Sequence, residues 1–108
     1  MIDRDLRWKV TITKRAAKKN KKMPIPALSA FRLLWRDLTT QGPIQPKWPN
    51  FSKLKGRPSH WHCHLTKGKP TYVVCWRAYQ FSRVEKEITQ RKGEIEIFYA
   101  WTHEDAPY

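Results

Sequence analysis

The chain has 108 residues, of which 40% are hydrophobic and 13% aromatic. That is enough apolar material for one domain with a single small core, and it excludes wholesale disorder. Its 22 Lys plus Arg against 9 Asp plus Glu give a formal charge of +13, which points to a polyanionic partner, nucleic acid above all, or to an acidic protein that neutralises the surface. The segment from Met1 to Arg7 is charged and lacks the apolar run of a signal peptide. No stretch approaches the roughly 20 apolar residues needed to cross a bilayer. A cytoplasmic protein is therefore expected, with no membrane partner and with Cys63 and Cys75 as reduced thiols.

In Leu6-Arg7-Trp8-Lys9-Val10-Thr11-Ile12 apolar and polar residues alternate, which predicts a first strand with Leu6, Trp8, Val10 and Ile12 on one face. Thr13 suits an N-cap and opens a short cationic helix over Lys14 to Lys22. Pro24 and Pro26 fit the start of a second helix. Leu28, Phe31, Leu34, Trp35 and Leu38 follow at spacings of three and four, a stripe that belongs in the core and ends near Thr40, before Gly42 and Pro43. Prolines 43, 46 and 49 mark an extended connection, which Trp48 pins.

Three more strands are expected, over His60 to Leu65, Tyr72 to Tyr79 and Ile95 to Trp101, with a turn at Lys67 to Pro70 between the first two. Phe81 to Lys92 reads either as a capped helix or as the charged end of a hairpin, and the hairpin is preferred. The predicted order is β-α-α-β-β-β, a single α+β domain over residues 1–108. Its two N-terminal helices pack on one face of a small, mostly antiparallel sheet and leave the other face open.

The most informative segment is His60-Trp61-His62-Cys63-His64-Leu65. A strand's period of two sends Trp61, Cys63 and Leu65 to the core and His60, His62 and His64 to the opposite face. Imidazoles exchange protons near neutral pH. The cationic run Lys53-Leu54-Lys55-Gly56-Arg57 lies just upstream. Proton-transfer groups beside phosphate-binding cations suit a site that acts on RNA.

Phe51-Ser52-Lys53-Leu54-Lys55-Gly56, Trp61-His62-Cys63-His64-Leu65 and the terminal Tyr99-Ala100-Trp101-Thr102-His103-Glu104-Asp105-Ala106-Pro107-Tyr108 together resemble the RelE/ParE superfamily of type II toxins. The resemblance spans nearly the whole chain, from about Trp8 to Tyr108. It implies a RelE-like sheet and one of two activities. RelE-like members cut mRNA on the ribosome without a metal or other cofactor; ParE-like members bind DNA gyrase. It also implies a cognate antitoxin, acidic and DNA-binding, encoded by the adjacent gene. His62 and His64 match positions that are often lysine in RelE, His103 matches a terminal-strand His or Arg, and Tyr108 matches the terminal Tyr. Thr71 stands where RelE carries an Arg, and Trp101 stands where a small residue is usual.

Cutting RNA with its own 2′-hydroxyl requires a base, cations to stabilise the phosphorane and an acid for the leaving 5′-oxygen. His62, His64 and His103 are the candidate acid–base groups, with Tyr108 beside them. Lys53, Lys55, Arg57 and Arg77 are candidates to hold phosphate, with Lys18 and Lys19 as a further grip. Tyr99 and Trp101 are candidates to stack a base. The rival readings are a zinc site drawn from His60, His62, Cys63, His64, Cys75 and His103, a ParE-like gyrase inhibitor that needs no proton-transfer groups, and a basic RNA-binding module that cuts nothing.

Overall fold

The computed structural model describes residues 8–80 and 93–108. Strand β1 (Lys9–Ile12) leads into helix α1 (Lys14–Asn20) and helix α2 (Ile25–Gln41), followed by strands β2 (Ser52–Lys53), β3 (His60–His64), β4 (Tyr72–Gln80) and β5 (Gly93–Thr102). The sheet order is β1-β5-β4-β3-β2. β1 runs parallel to β5, and the other neighbours are antiparallel. The chain is thus an α+β domain with two helices and a five-stranded mixed sheet.

The expected β-α-α-β-β-β order is one strand short. Ser52–Lys53 pairs with β3 as an edge strand, and two residues offer too little alternation to be seen as a strand in the sequence. Both helices follow β1, in the expected place in that order. Leu6 and Arg7 of the expected first strand, and the hairpin end expected over Phe81 to Lys92, lie outside the described residues.

Local chemistry accounts for both helices. Thr13 caps α1, its Oγ1 accepting from the Ala16 N–H at 3.1 Å. Proline starts α2, and Gly42 ends it with φ 91°, a left-handed conformation. A Cβ at Gly42 would also lie 2.8 Å from Trp8 Nε1, so glycine is required there for space as well.

The core lies between the helices and one sheet face. Ala16, Ala27, Phe31, Leu34 and Leu38 pack with Cys63, Leu65, Val74, Trp76, Ile95, Ile97 and Ala100. Of the expected α2 stripe, Phe31, Leu34 and Leu38 are buried, and Leu28 and Trp35 are partly buried against them. The proline-rich connection is tied down by its side chains. Trp48 Nε1 donates to Asp37 Oδ2 at 2.9 Å, and buried Gln45 donates to the Asp37 and Gly42 carbonyls. Cys63 and Cys75 are both free. They sit on neighbouring strands but in rows of opposite face, Cys63 beside Val74 and Cys75 beside His62.

One irregularity positions the site. Between Cys75 and Trp76 the β4–β5 register shifts, pairing Cys75 with Tyr99 and Trp76 with Ile97. Phe98 is left without a partner, a β-bulge. Ile95 and Ile97 before it and Ala100 after it all remain in the core, which a strict alternation does not allow. The bulge turns both Phe98 and Tyr99 toward the face away from the helices.

Candidate active site

The face away from the helices carries three cross-strand rows. One holds His60, Arg77 and Glu96; the next His62, Cys75 and Tyr99; the third His64 and Val73, with Trp101 opposite Val73 on β5 but turned toward α1. The histidine alternation expected of β3 is therefore realised. His103 enters from the chain segment after β5, its N–H donating to the Thr71 carbonyl at 2.8 Å. Tyr108 folds back over the same face.

The result is a closed ring of four aromatic side chains. Centroid separations are 5.7 Å for His62–His64, 5.3 Å for His64–His103, 5.9 Å for His103–Tyr108 and 4.4 Å for Tyr108–His62. Each ring touches two others. Beneath them Val73 and Cys75 are fully buried, yet neither belongs to the helix-side core. They form the apolar floor of the ring.

His60 stands apart from this group. Its Nδ1 lies 2.8 Å from the Pro58 carbonyl, and its ring meets Phe98 edge-on at 5.4 Å. The strand thus supplies two imidazoles to the ring, and the third comes from His103. Ser52 was not singled out in the sequence, yet its Oγ lies 3.3 Å from His62 Nδ1. Only the cross-strand pairing of β2 brings it there, so no local pattern reveals it.

Burial lowers the His62 pKa from its ordinary value of 6.5; the positive charge His64 takes on when protonated adds to this, and a hydrogen bond to the Ser52 backbone opposes it. His64 is lowered by burial and then by His103. Tyr108 is pushed well above the usual phenol range, by burial first, so its hydroxyl stays protonated. Tyr99 is raised by burial, while its O–H donates to the Thr102 carbonyl at 2.6 Å. The arrangement offers two imidazoles that are neutral acceptors near pH 7, beside a phenol that remains a donor.

These lowered values set a pH dependence of stability. Well above pH 6.5 both His62 and His64 are neutral, folded or unfolded. As pH falls below 6.5, the unfolded chain takes up their protons before the folded chain does. Their contribution to stability is therefore lost on acidification, over the window from 6.5 down to the folded-state values. The urea midpoint is expected to decrease across this window, and to decrease less in His62→Gln. Parallel curves for the two proteins would contradict this origin.

The expected phosphate contacts disperse. Arg57 is exposed in the β2–β3 turn, and its charge reaches the floor of the ring: burial pushes the Cys75 thiol up to about 12, and the Arg57 guanidinium opposes that shift. Lys55 is exposed in the β2–β3 turn. Lys53 pairs with Trp61, which places it in a row facing away from the imidazoles. Arg77 does share their face, but it is ion-paired to Glu96, its Nε donating to Oε1 at 2.8 Å. Lys18 lines an open groove on α1 with Lys14, Arg15 and Lys21. Lys19 Nζ sits 5.3 Å over the Trp101 ring, which also meets Tyr72 edge-on at 5.5 Å. Trp101 is thus engaged at the α1 side, and Tyr99 is the aromatic residue in the row of His62.

Among the described residues, no three of His, Cys, Asp and Glu converge closely enough to hold a metal ion. No described helix is long and apolar enough to cross a membrane. No family model matches the chain, and no match is found among curated proteins or solved structures.

Proposed function

We propose that the chain is the toxin of a type II toxin–antitoxin pair, a RelE-like, metal-independent endoribonuclease that cleaves mRNA on the ribosome and so inhibits translation. The observation that carries this reading is the His62–His64–His103–Tyr108 ring on the sheet face opposite the helices. Residues far apart in sequence converge there into a set of acceptors and donors of the kind that 2′-hydroxyl chemistry requires. The charge of +13 supplies attraction to RNA, and in the resting cytoplasmic complex to an acidic antitoxin.

His64 is half-buried and reachable, and it takes the proton from the 2′-hydroxyl. The alkoxide attacks the adjacent phosphorus, forming a 2′,3′-cyclic phosphate as the bond to the 5′-oxygen breaks. His103, exposed at the edge of the ring, delivers a proton to that leaving oxygen. The Tyr108 hydroxyl and Arg57 stabilise the phosphorane charge. His62, 8% exposed and beside Ser52, fixes the position of its neighbours.

The test is addition of the full chain to a translating extract containing a chelator. Cut mRNA ending in 2′,3′-cyclic phosphate is the expected result. Intact mRNA with arrested translation would refute the nuclease reading, and DNA damage in cells without RNA cleavage would favour the gyrase-directed alternative.

A further inference from the structure

Next to the histidine ring lies a group of side chains the proposed chemistry does not use. Arg77 and Glu96 face each other across β4 and β5, in the same row as His60. Arg77 donates from both Nε and Nη2 to one oxygen of Glu96, Oε1; the other, Oε2, accepts nothing from the described residues. The guanidinium lies 5.7 Å from the Tyr79 ring centroid and 5.6 Å from that of Phe98. Phe98 is the bulged residue, turned onto this face, and the His60 ring meets it edge-on. Tyr79 is 46% exposed, and the Arg77 and Glu96 side chains are 36% and 26% exposed.

We infer that Tyr79, Arg77, Phe98 and Glu96 form a base-reading subsite for guanine in single-stranded RNA. The inference rests on the proposed RNA-directed role of this face. A row of rings interleaved with a guanidinium is a stacking platform for any base. Selection among bases requires hydrogen bonds to an edge. Glu96 is held in place by Arg77, and an ionised carboxylate only accepts. Guanine presents two adjacent donors, N1–H and the N2 amino group, on its Watson–Crick edge. Adenine and cytosine each present one amino donor beside an acceptor that the carboxylate repels, and uracil presents a single N–H between two carbonyls.

The spacing also fits. The Arg77–Glu96 row is two residues from the His62–Tyr99 row along β3 and β4, and three along β5 through the bulge, roughly 7 Å. A distance of that size suits adjacent nucleotides of an extended single strand. A base held by Glu96 therefore places its own or the neighbouring phosphate at the imidazoles. Arg77 has a positioning role here: its cation is matched by Glu96, so it orients the carboxylate rather than gripping phosphate.

The test uses the full chain carrying His64→Ala, so that cleavage does not confound binding. The probes are labelled RNA pentamers, UUGUU, UUAUU, UUCUU and UUUUU, followed by fluorescence anisotropy. Binding of the guanine pentamer is expected to be at least about fivefold tighter than of the others. Inosine in place of guanine, which lacks the N2 amino group, is expected to remove most of that preference without altering the protein. Glu96→Gln is expected to abolish it. Equal affinity for all four pentamers, no measurable binding, or a preference that inosine leaves intact would overturn the subsite. Guanine-selective binding by a chain that cuts nothing would retain the subsite and defeat the nuclease reading. Cleavage without base preference would do the reverse.

Discussion

Replacing His64 with alanine is expected to lower the rate of the proposed mRNA cleavage by about 10²–10⁴-fold while leaving the chain folded. His64 is the member of the ring that touches both of the other imidazoles, at 5.7 Å from His62 and 5.3 Å from His103. Its lowered pKa, from burial and then from His103, keeps it unprotonated at neutral pH, as a base must be. Removing it leaves the helix-side core untouched, because its strand partner Val73 lies on the other face. His103→Ala is expected to lose a similar factor, since it removes the proposed acid. His62→Ala is expected to lose less and to act through position. The double variant His64→Ala/His103→Ala should lose much less than the product of the single effects, as groups that act in one step do. Single-turnover cleavage of one mRNA by each variant, beside urea midpoints, measures all of this. A His64→Ala protein that cuts at the parental rate would remove the base assigned here.

Much of this face was legible in the chain itself because its information is local. The period-two alternation from His60 to Leu65 separates imidazoles from core residues without reference to any other segment, and the structure keeps that separation. The same holds for the Thr13 cap and the Phe31–Leu34–Leu38 stripe. What escaped was set by pairing between distant segments. Ser52 meets His62 only because β2 joins the sheet edge. Lys53, one residue along, thereby lands on the side away from the imidazoles, although the cationic run as a whole looked like a single phosphate grip. The Phe98 bulge has no signature in Ile97-Phe98-Tyr99. It shows only in the pairing, where β4 keeps its two-residue alternation while β5 takes three residues to pass from core Ile97 to core Ala100. Arg77 does face the imidazoles, but Glu96 sits across from it, and a like-for-like count of cations misses that neutralisation.

The same bulge ties the site to the core, and Trp76 is where the two meet. Trp76 is fully buried, stacks on Phe51 at 6.1 Å, and donates from Nε1 to the Pro43 carbonyl at 3.1 Å. Trp76→Ala is expected to destabilise the domain by about 3–5 kcal/mol, and orphaning the Pro43 carbonyl adds to the cavity cost. Small domains have roughly 5–15 kcal/mol in total, so the variant should be marginal at 37 °C. Trp76→Phe keeps most of the apolar volume and loses the hydrogen bond, and it is expected to cost much less. Urea unfolding with an unchanged m-value is the measurement, and an alanine variant within about 1 kcal/mol of the parent would contradict this packing. The effect should also reach the other face. Trp76 and Cys75 are consecutive, on opposite sides of β4, and the register shift against β5 falls between them. With the indole gone, nothing of comparable size holds β4 to the helix side at that point. The pairing of Cys75 with Tyr99 then loses its anchor, and with it the floor on which His62 and Tyr108 rest. Residual cleavage by folded Trp76→Ala protein is therefore expected to fall below that of Trp76→Phe, even under conditions where both are fully native by circular dichroism.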